Sequence, residues 1–516
     1  MDNILTIPIF ICVLGLFFYW ASFRYKTNNC LMAFLVVCYF LVLGGDVLTL
    51  SMIFIGTYSI GFWLNYFLAK QEDFGPLNLV SGFVALYIPV FFISVISSYP
   101  GILGRLPVSL KASLLDTKLL SVLIIIIALV CFVSLIVKKV EPLKARVHDT
   151  LAQFEDANAL TFIPLLFVVS ITSYVAMPTI GYDDLAIHSY IQNQVVAGKF
   201  PIFDVSVNVW SYAQWVSNVY YGLAGIYSNV EGRSVLNLFM ALSIVTMLIK
   251  LFRRHFSTNI SLLFVVFASS TPLFILSLTN SQSELISTFL LVSILYCYIN
   301  YNQNTLVKAL LIFAFSVAIK PSNAIVFGLP FVMFLAKEYE LHKLTLFKSV
   351  RFYFSLLVSL FIFSSVYIFA FVKTGNPVYP LFNGIFHAPG FPNVNFFNSV
   401  YSGNFNVNAF LGLIFNTSKY MESNDGVAGF QLLLLPLVLL VSPFLYKRAN
   451  KEVLFLYAII ISAIGMFYSQ QYARYVGPSI FVATVVSCLL LSKIQTLSKK
   501  VLISILQFLS LPIFLT

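Results

Sequence analysis

LTFIPLLFVVSITSYVAMPTIGYDDLAIHSYIQNQVVAGKFP, residues 160–201, contains both environments into which the whole chain divides. Leu160 to Met177 is an apolar run on the scale of a bilayer's hydrocarbon, which takes roughly 20 helical residues to cross. A Pro-Thr-Ile-Gly-Tyr turn follows, and two carboxylates, Asp183 and Asp184, then stand at the edge of the apolar zone. Beyond them Asp184, His188 and Gln192 recur at i, i+4 and i+8 beside an apolar stripe of Ile187, Ile191 and Val195, and Gly198 is placed to stop the helix. The pattern predicts a short amphipathic helix lying on the membrane surface, its acids at the N-terminal end where the helix dipole favours the ionised form.

The same alternation runs through all 516 residues. With 60% hydrophobic and 9% charged residues and a mean hydropathy of +0.93, the expected fold class is all-α. The chain reads as a polytopic transmembrane helical protein with about 14 to 16 spans. Runs are readable at 4–23, 31–46, 47–69, 78–97, 117–137, 160–177, 234–252, 260–278 and 282–300. A hairpin of two short segments follows at 305–319 and 322–336, then runs at 350–372, 428–446, 453–469 and 475–492. Ile4 to Phe23 lacks a basic segment before it and reads as an uncleaved first span. The six cysteines show neither a disulfide framework nor zinc spacing. The net charge of +11 is dispersed over short loops, which excludes nucleic acid as a partner.

Alternating sides from an external N-terminus puts 21 of the 30 Lys and Arg in the cytoplasmic connections and leaves Arg105, Lys111, Lys118, Lys199, Arg233, Lys320, Lys373, Lys419 and Arg474 outside. Two large external loops then stand at 178–233 and 373–427. The longest cytoplasmic connection, 138–159, is too short for a nucleotide-binding unit. The chain divides into an N-terminal transmembrane module at 1–159, a core at 160–492 and a C-terminal interfacial or membrane segment at 493–516.

Ionisable residues at the ends of apolar runs carry the chemistry. Asp183 and Asp184 read either as helix-capping acids or, for one of them, as a general base acting on an acceptor hydroxyl or amine. Glu284, after SLTNSQSE, is the only acid within an apolar span and reads as a first-turn acid or a cavity carboxylate. Lys320, at the tip of the hairpin, either snorkels or holds a phosphate at headgroup level. Arg474, in YSQQYARYVGP, is an external arginine among aromatics, suited to bidentate contact with a lipid phosphate or to anchoring on headgroups. Asp184 and His188 form an i, i+4 pair without a third ligand, so a divalent metal is not indicated. The loop KTGNPVYPLFN, Lys373 to Asn383, reads as a lid or as a segment packed on the bilayer.

In order and placement these motifs resemble the type C (GT-C) superfamily of integral-membrane glycosyltransferases, which includes protein O-mannosyltransferases and the lipid A aminoarabinose transferase. GYDDLAIHSYIQNQVVAGKFP is similar to that family's first external loop, AFSVAIKPSNAIVFGLP to its lysine-bearing hairpin, TGNPVYPLFN to a loop of bacterial members and ARYVGP to its late Arg-Tyr turn. The resemblance covers about residues 160–492. It implies a polyprenyl-phosphate-linked sugar donor, a catalytic acid at Asp183 or Asp184, and donor-phosphate contacts at Lys320 and Arg474. Glu284 would be a second acid in the cavity. The family's acidic loop follows its first span, whereas here five further spans precede that span.

The reading is a membrane glycosyltransferase of a bacterial inner membrane. It would pass a sugar, with inversion, to a glycan, lipid or protein acceptor on the non-cytoplasmic face. The expected site is Asp183, Asp184 and Glu284 for the chemistry, with Lys320, Arg474, His188 and Tyr475 on the substrate, and with membrane lipids around it. No cofactor is implied. A polymerase or ligase for lipid-linked glycans would share the lipid phosphate but favour several loop arginines, and the loop from Lys373 to Val427 has none. A transporter would carry its ionisable groups near the bilayer midplane rather than at one edge.

Overall fold

The structure, a computed structural model, describes residues 2–22, 27–69, 75–97, 116–152, 158–179, 181–199, 203–212, 215–228, 231–342, 349–396, 401 and 406–491. The expected segment 493–516 lies outside these residues, as do eight of the basic residues assigned to the cytoplasmic connections.

The fold is all-α. The helices are α1 (Asp2–Ala21), α2 (Thr27–Leu43), α3 (Val47–Ala69), α4 (Leu77–Ala85), α5 (Tyr87–Ser97), α6 (Thr117–Ala152) and α7 (Phe162–Ser173). After a π-helical turn at Asp184–His188 come α8 (Ser189–Val196), α9 (Trp215–Gly225), α10 (Gly232–Phe252), α11 (Thr258–Ser269), α12 (Pro272–Leu278) and α13 (Glu284–Ile299). They are followed by α14 (Gln303–Ile319), α15 (Asn323–His342), α16 (Val350–Thr374), α17 (Asn383–Phe386), α18 (Val407–Phe415), α19 (Leu434–Ser469) and α20 (Ala473–Leu491). Among the described residues, six helical runs are long and apolar enough to cross a membrane, or seven if a bent pair counts as one span. Five shorter apolar helices of 10–17 residues accompany them. The chain is a polytopic helical membrane protein.

Side-chain contacts fix the direction of each segment. Phe34 packs on Phe162 at 5.9 Å and Tyr39 shares a 2.9 Å hydrogen bond with Thr172, so α2 runs parallel to α7. Thr49 donates to the carbonyl of Tyr227 and Phe54 packs on Phe239, so α3 descends alongside α10. The chain therefore reverses at the 3-10 turn Gly44–Asp46, where Gly44 adopts a φ of +57°. The helical segment Leu434–Ser469 is not straight, since Ser442 and Tyr457 are hydrogen-bonded at 2.7 Å. Fifteen residues of straight helix would hold them about 22 Å apart. This segment too doubles back, as its two expected runs require.

One expected span is broken. The run 260–278 bends by 79° between α11 and α12. Thr271 takes φ −59° and ψ 122° ahead of Pro272, which cannot donate a helical hydrogen bond and starts a new helix at its first position. The predicted amphipathic helix forms as the π turn plus α8 and stops at Gly198, φ +83°. Its Ile191 and Val195 are buried.

The N-terminal helices share one apolar core with the rest. Tyr87 and Ser365 share a hydrogen bond, and Tyr220 donates to the carbonyl of Phe83 at 2.9 Å. Within this region α3 and α4 meet backbone to backbone. A Cβ on Gly61 would stand 1.8 Å from the carbonyl oxygen of Asn78, and one on Gly82 would stand 1.7 Å from that of Thr57. Small residues are what membrane helices use where no hydrophobic effect drives association. The contact is locked by Asn65 donating to Asn78 at 2.7 Å and Ser81 donating to Asn65 at 3.0 Å. Gly82→Val should therefore lower the melting temperature in detergent by about 5 °C or more, since backbone atoms cannot move aside. Gly328→Ala, in open space within α15, should match or exceed wild type. Equal melting of Gly82→Val and wild type would show that the α3–α4 contact is loose.

A charge cluster at converging helix ends

The long connections 174–231 and 375–433 both leave the bundle at one end, and the functional candidates gather there. Asp183 and Asp184 are separated by their roles. Asp184 is buried; it accepts a hydrogen bond from the Thr179 hydroxyl and another from the backbone N–H of Ser281 at 3.1 Å. It ties the turn before α13 to the acidic loop. Burial pushes its pKa up, against the Thr179 hydrogen bond and the nearby His188. His188, also buried, lies within 3.0 Å of Asn218 through Nδ1, and burial pushes its pKa down. Among the described residues no group of three His, Cys, Asp or Glu side chains is placed to hold a metal.

Asp183 faces the other way. Its side chain is 35% exposed, and Oδ2 accepts from Nη2 of Arg474 at 2.9 Å. Arg474, on the first turn of α20, also approaches Glu284 Oε1 at 3.5 Å through Nε. Glu284 opens α13 and accepts a 2.8 Å charge-assisted hydrogen bond from Lys320 Nζ. Lys320 is the extended residue after α14; Pro321 follows it, so the helix cannot continue and the side chain turns inward. Its ammonium lies 3.9 Å over the ring of Tyr475. The structure thus joins Asp183, Arg474, Glu284, Lys320 and Tyr475 in one chain of contacts, while Asp184 and His188 form a separate buried group beside it.

Three partners were not singled out from the sequence: Tyr472, Glu422 and Tyr401. Tyr472 places its ring 4.7 Å beneath the Arg474 guanidinium and donates its hydroxyl to Glu422 at 2.6 Å. Tyr401 stacks on Tyr472 at 4.5 Å. Glu422 and Asp425 are the two acids of the loop 373–427, and that scarcity is the signal that marks them.

Two cations and two carboxylates leave the cluster neutral, but its hydrogen bonding is incomplete. Glu284 Oε2 and Arg474 Nε have no hydrogen-bond partner. Both residues line a cleft whose remaining wall is mainly apolar, made by Leu273, Phe274, Leu276, Met421, Pro478 and Phe481. Such a cleft offers both charge and hydrocarbon contact.

No family model, no curated protein and no solved structure matches the chain.

His188 gives a pH signature. Its folded pKa is depressed, so below about 6.5 the unfolded chain takes up a proton that the folded chain refuses. Its contribution to stability is full above that value and falls as pH drops below it. His188→Gln keeps a polar partner for Asn218 and should flatten the loss of stability between pH 7.5 and 5 by up to about 1.4 kcal/mol per pH unit. Parallel melting curves for both proteins over this range would refute the assignment.

Proposed function

We propose that the protein is a glycosyltransferase that takes its sugar from a polyprenyl-phosphate carrier. The observation that carries this reading is the placement of Arg474 and Glu284, with Lys320 bonded to Glu284, on a cleft whose remaining wall is mainly apolar. A lipid phosphate needs both features: guanidinium and ammonium donors for its oxygens, and an apolar wall for its chain.

In this reading the donor phosphate draws Arg474 away from Asp183, and the freed carboxylate becomes the base. The acceptor O–H gives its proton to Asp183 as its oxygen bonds to the anomeric carbon. The bond from that carbon to the phosphate oxygen breaks, and its electron pair leaves with polyprenyl phosphate. Lys320 and Arg474 hold the charge that develops there. A single displacement inverts the anomeric carbon. Glu284 positions both cations, Tyr475 supports Lys320, and Asp184 with His188 fixes the loop that carries Asp183. The Lys and Arg distribution favours the non-cytoplasmic face of a bacterial inner membrane, with the acceptor a glycan, lipid or protein.

Asp183→Asn keeps the shape and removes the base, so sugar transfer from a radiolabelled polyprenyl-phosphate sugar should fall by about 100-fold or more. Donor binding should remain. Turnover within a few-fold of wild type would remove Asp183 from the chemistry.

Lys320→Ala and Arg474→Ala should each weaken binding of polyprenyl phosphate by roughly 10- to 150-fold, the worth of a charge-assisted hydrogen bond. Unchanged affinity in both would leave them as structural charges only.

A further inference from the structure

From Thr374 to Ser418 the chain carries no Asp, Glu, Lys or Arg. A water-exposed stretch of that length would hold about ten charged residues at the usual share of one in four. Asparagine, proline and phenylalanine stand in their place, although the stretch belongs to the second long connection and lies beyond the last turn of the span-length helix α16.

The portion 375–396 is held at the depth where α16 leaves the bilayer. Up to its last turn α16 exposes Leu357, Leu360, Ile368, Phe371 and Val372, which at about 100° per residue share one side of the helix, the side open to lipid. Asn376 stands just past the end of that helix. Its fully buried amide donates to the carbonyl of Leu381 at 2.8 Å and reaches Oδ1 of Asn383 at 3.3 Å, so the short helix α17 starts beside the end of α16. Asn383 is equally buried; it donates to the carbonyls of Ala388 and Phe391 at 3.0 Å and accepts from the backbone N–H of Ala388 at 2.9 Å. The covered face of the loop continues in Tyr379, buried and 6.4 Å from the ring of Tyr212.

The outer face is apolar. Phe382 is 52% exposed and Ile385 64%, and Phe386, Val394 and Phe396 are exposed as well. Phe382 and His387, which bracket α17, take left-handed φ values of +54° and +52°, a conformation that is costly for a residue with a Cβ. Strain of this kind persists only where the surroundings over-determine it, and here it accompanies a phenylalanine turned outward.

We propose that this face, centred on Phe382, Ile385 and Phe386, is a membrane-contact surface, with α17 bedded about 5–10 Å into the headgroup and acyl boundary of the leaflet at the charge-cluster end. Between a lid and a segment packed on the bilayer, the loop is the second. Its buried asparagines make it rigid, it continues from the lipid-facing side of α16, and it lacks the polar rim that a protein interface carries. The surface is the same whatever reaction the cluster performs.

The test places a diazirine-bearing phenylalanine at position 382 or 385 of the full chain, in nanodiscs of phosphatidylethanolamine and phosphatidylglycerol. The same group at position 371, on the lipid-facing side of α16, and at position 424, an exposed asparagine of the same long connection, gives the two reference values. After irradiation, mass spectrometry should find lipid adducts at 382 and 385 in yields close to that at 371, and an almost complete loss of them at 424. Exchanging phosphatidylglycerol for phosphatidylcholine should leave the yields unchanged, since the loop offers no charge to an anionic surface. A loss on that exchange would mark recognition of one headgroup and overturn the proposal. Water adducts alone at both positions would also overturn it, as would cross-links to polypeptide in place of lipid, which would make the face a lid or a protein interface. The group at position 382 keeps the native ring, so that position decides if the change at 385 prevents folding.

Discussion

The 2.8 Å contact between Lys320 and Glu284 is the constraint on which the rest of this end of the molecule depends. Both side chains are more than nine-tenths buried. Taking each charge out of water costs several kcal/mol, and removing one partner would strand the other. The pair therefore fixes the end of α14 to the start of α13, and Arg474 adds the start of α20 to the same carboxylate. Asn323, the first residue of α15, bonds Ser287 of α13 at 3.0 Å, so four helix ends are held together within one turn of the charges. A membrane protein gains little from the hydrophobic effect between its helices, and polar ties of this kind define which helix ends meet.

The adjacent acids of the first long connection show how a fold divides labour between identical side chains. Asp184 is spent on backbone and hydroxyl donors, which makes the loop rigid; Asp183 keeps exposed surface and pairs with a side chain that has other partners available. The π turn matters to this division. Asp184 and His188, its first and last residues, are both buried, and Asp183 stands just ahead of it, turned to Arg474.

Much of this was legible in the sequence. Asp183, Glu284, Lys320, Arg474 and Tyr475 span 293 positions, Asp183 to Tyr475 inclusive, yet the ionisable ones each stand out as a charge at the end of an apolar run, where a charge is costly without a partner. The all-α membrane class followed from composition, hydropathy and run length. The choice between Asp183 and Asp184 was not legible, because neighbours on a helix differ by about 100° and only tertiary packing says which side is covered. Glu422 was not singled out because its partner Tyr472 lies 50 positions on and only the fold brings the two together. The 79° bend at Thr271-Pro272 carries a known helix-start signal, but it sits within an apolar run of expected span length, and hydropathy hides it.

Helix dipoles add a last argument about what the cluster is built to hold. Arg474 stands on the first turn of α20, at the positive end of that helix, where a cation is disfavoured. The first residues of α13 and α15 bring two more positive ends to the same place, and only the C-terminal end of α14 brings a negative one. Pro478 cannot donate to the carbonyl of Arg474, so the first turn of α20 is left less tightly bonded. These ends and the cations Lys320 and Arg474 stand against three carboxylates, Asp183, Glu284 and, through Tyr472, Glu422. In the proposed reading an anion arriving through the cleft takes over the role Asp183 fills at rest, which would tie phosphate binding to the release of the carboxylate within one set of contacts.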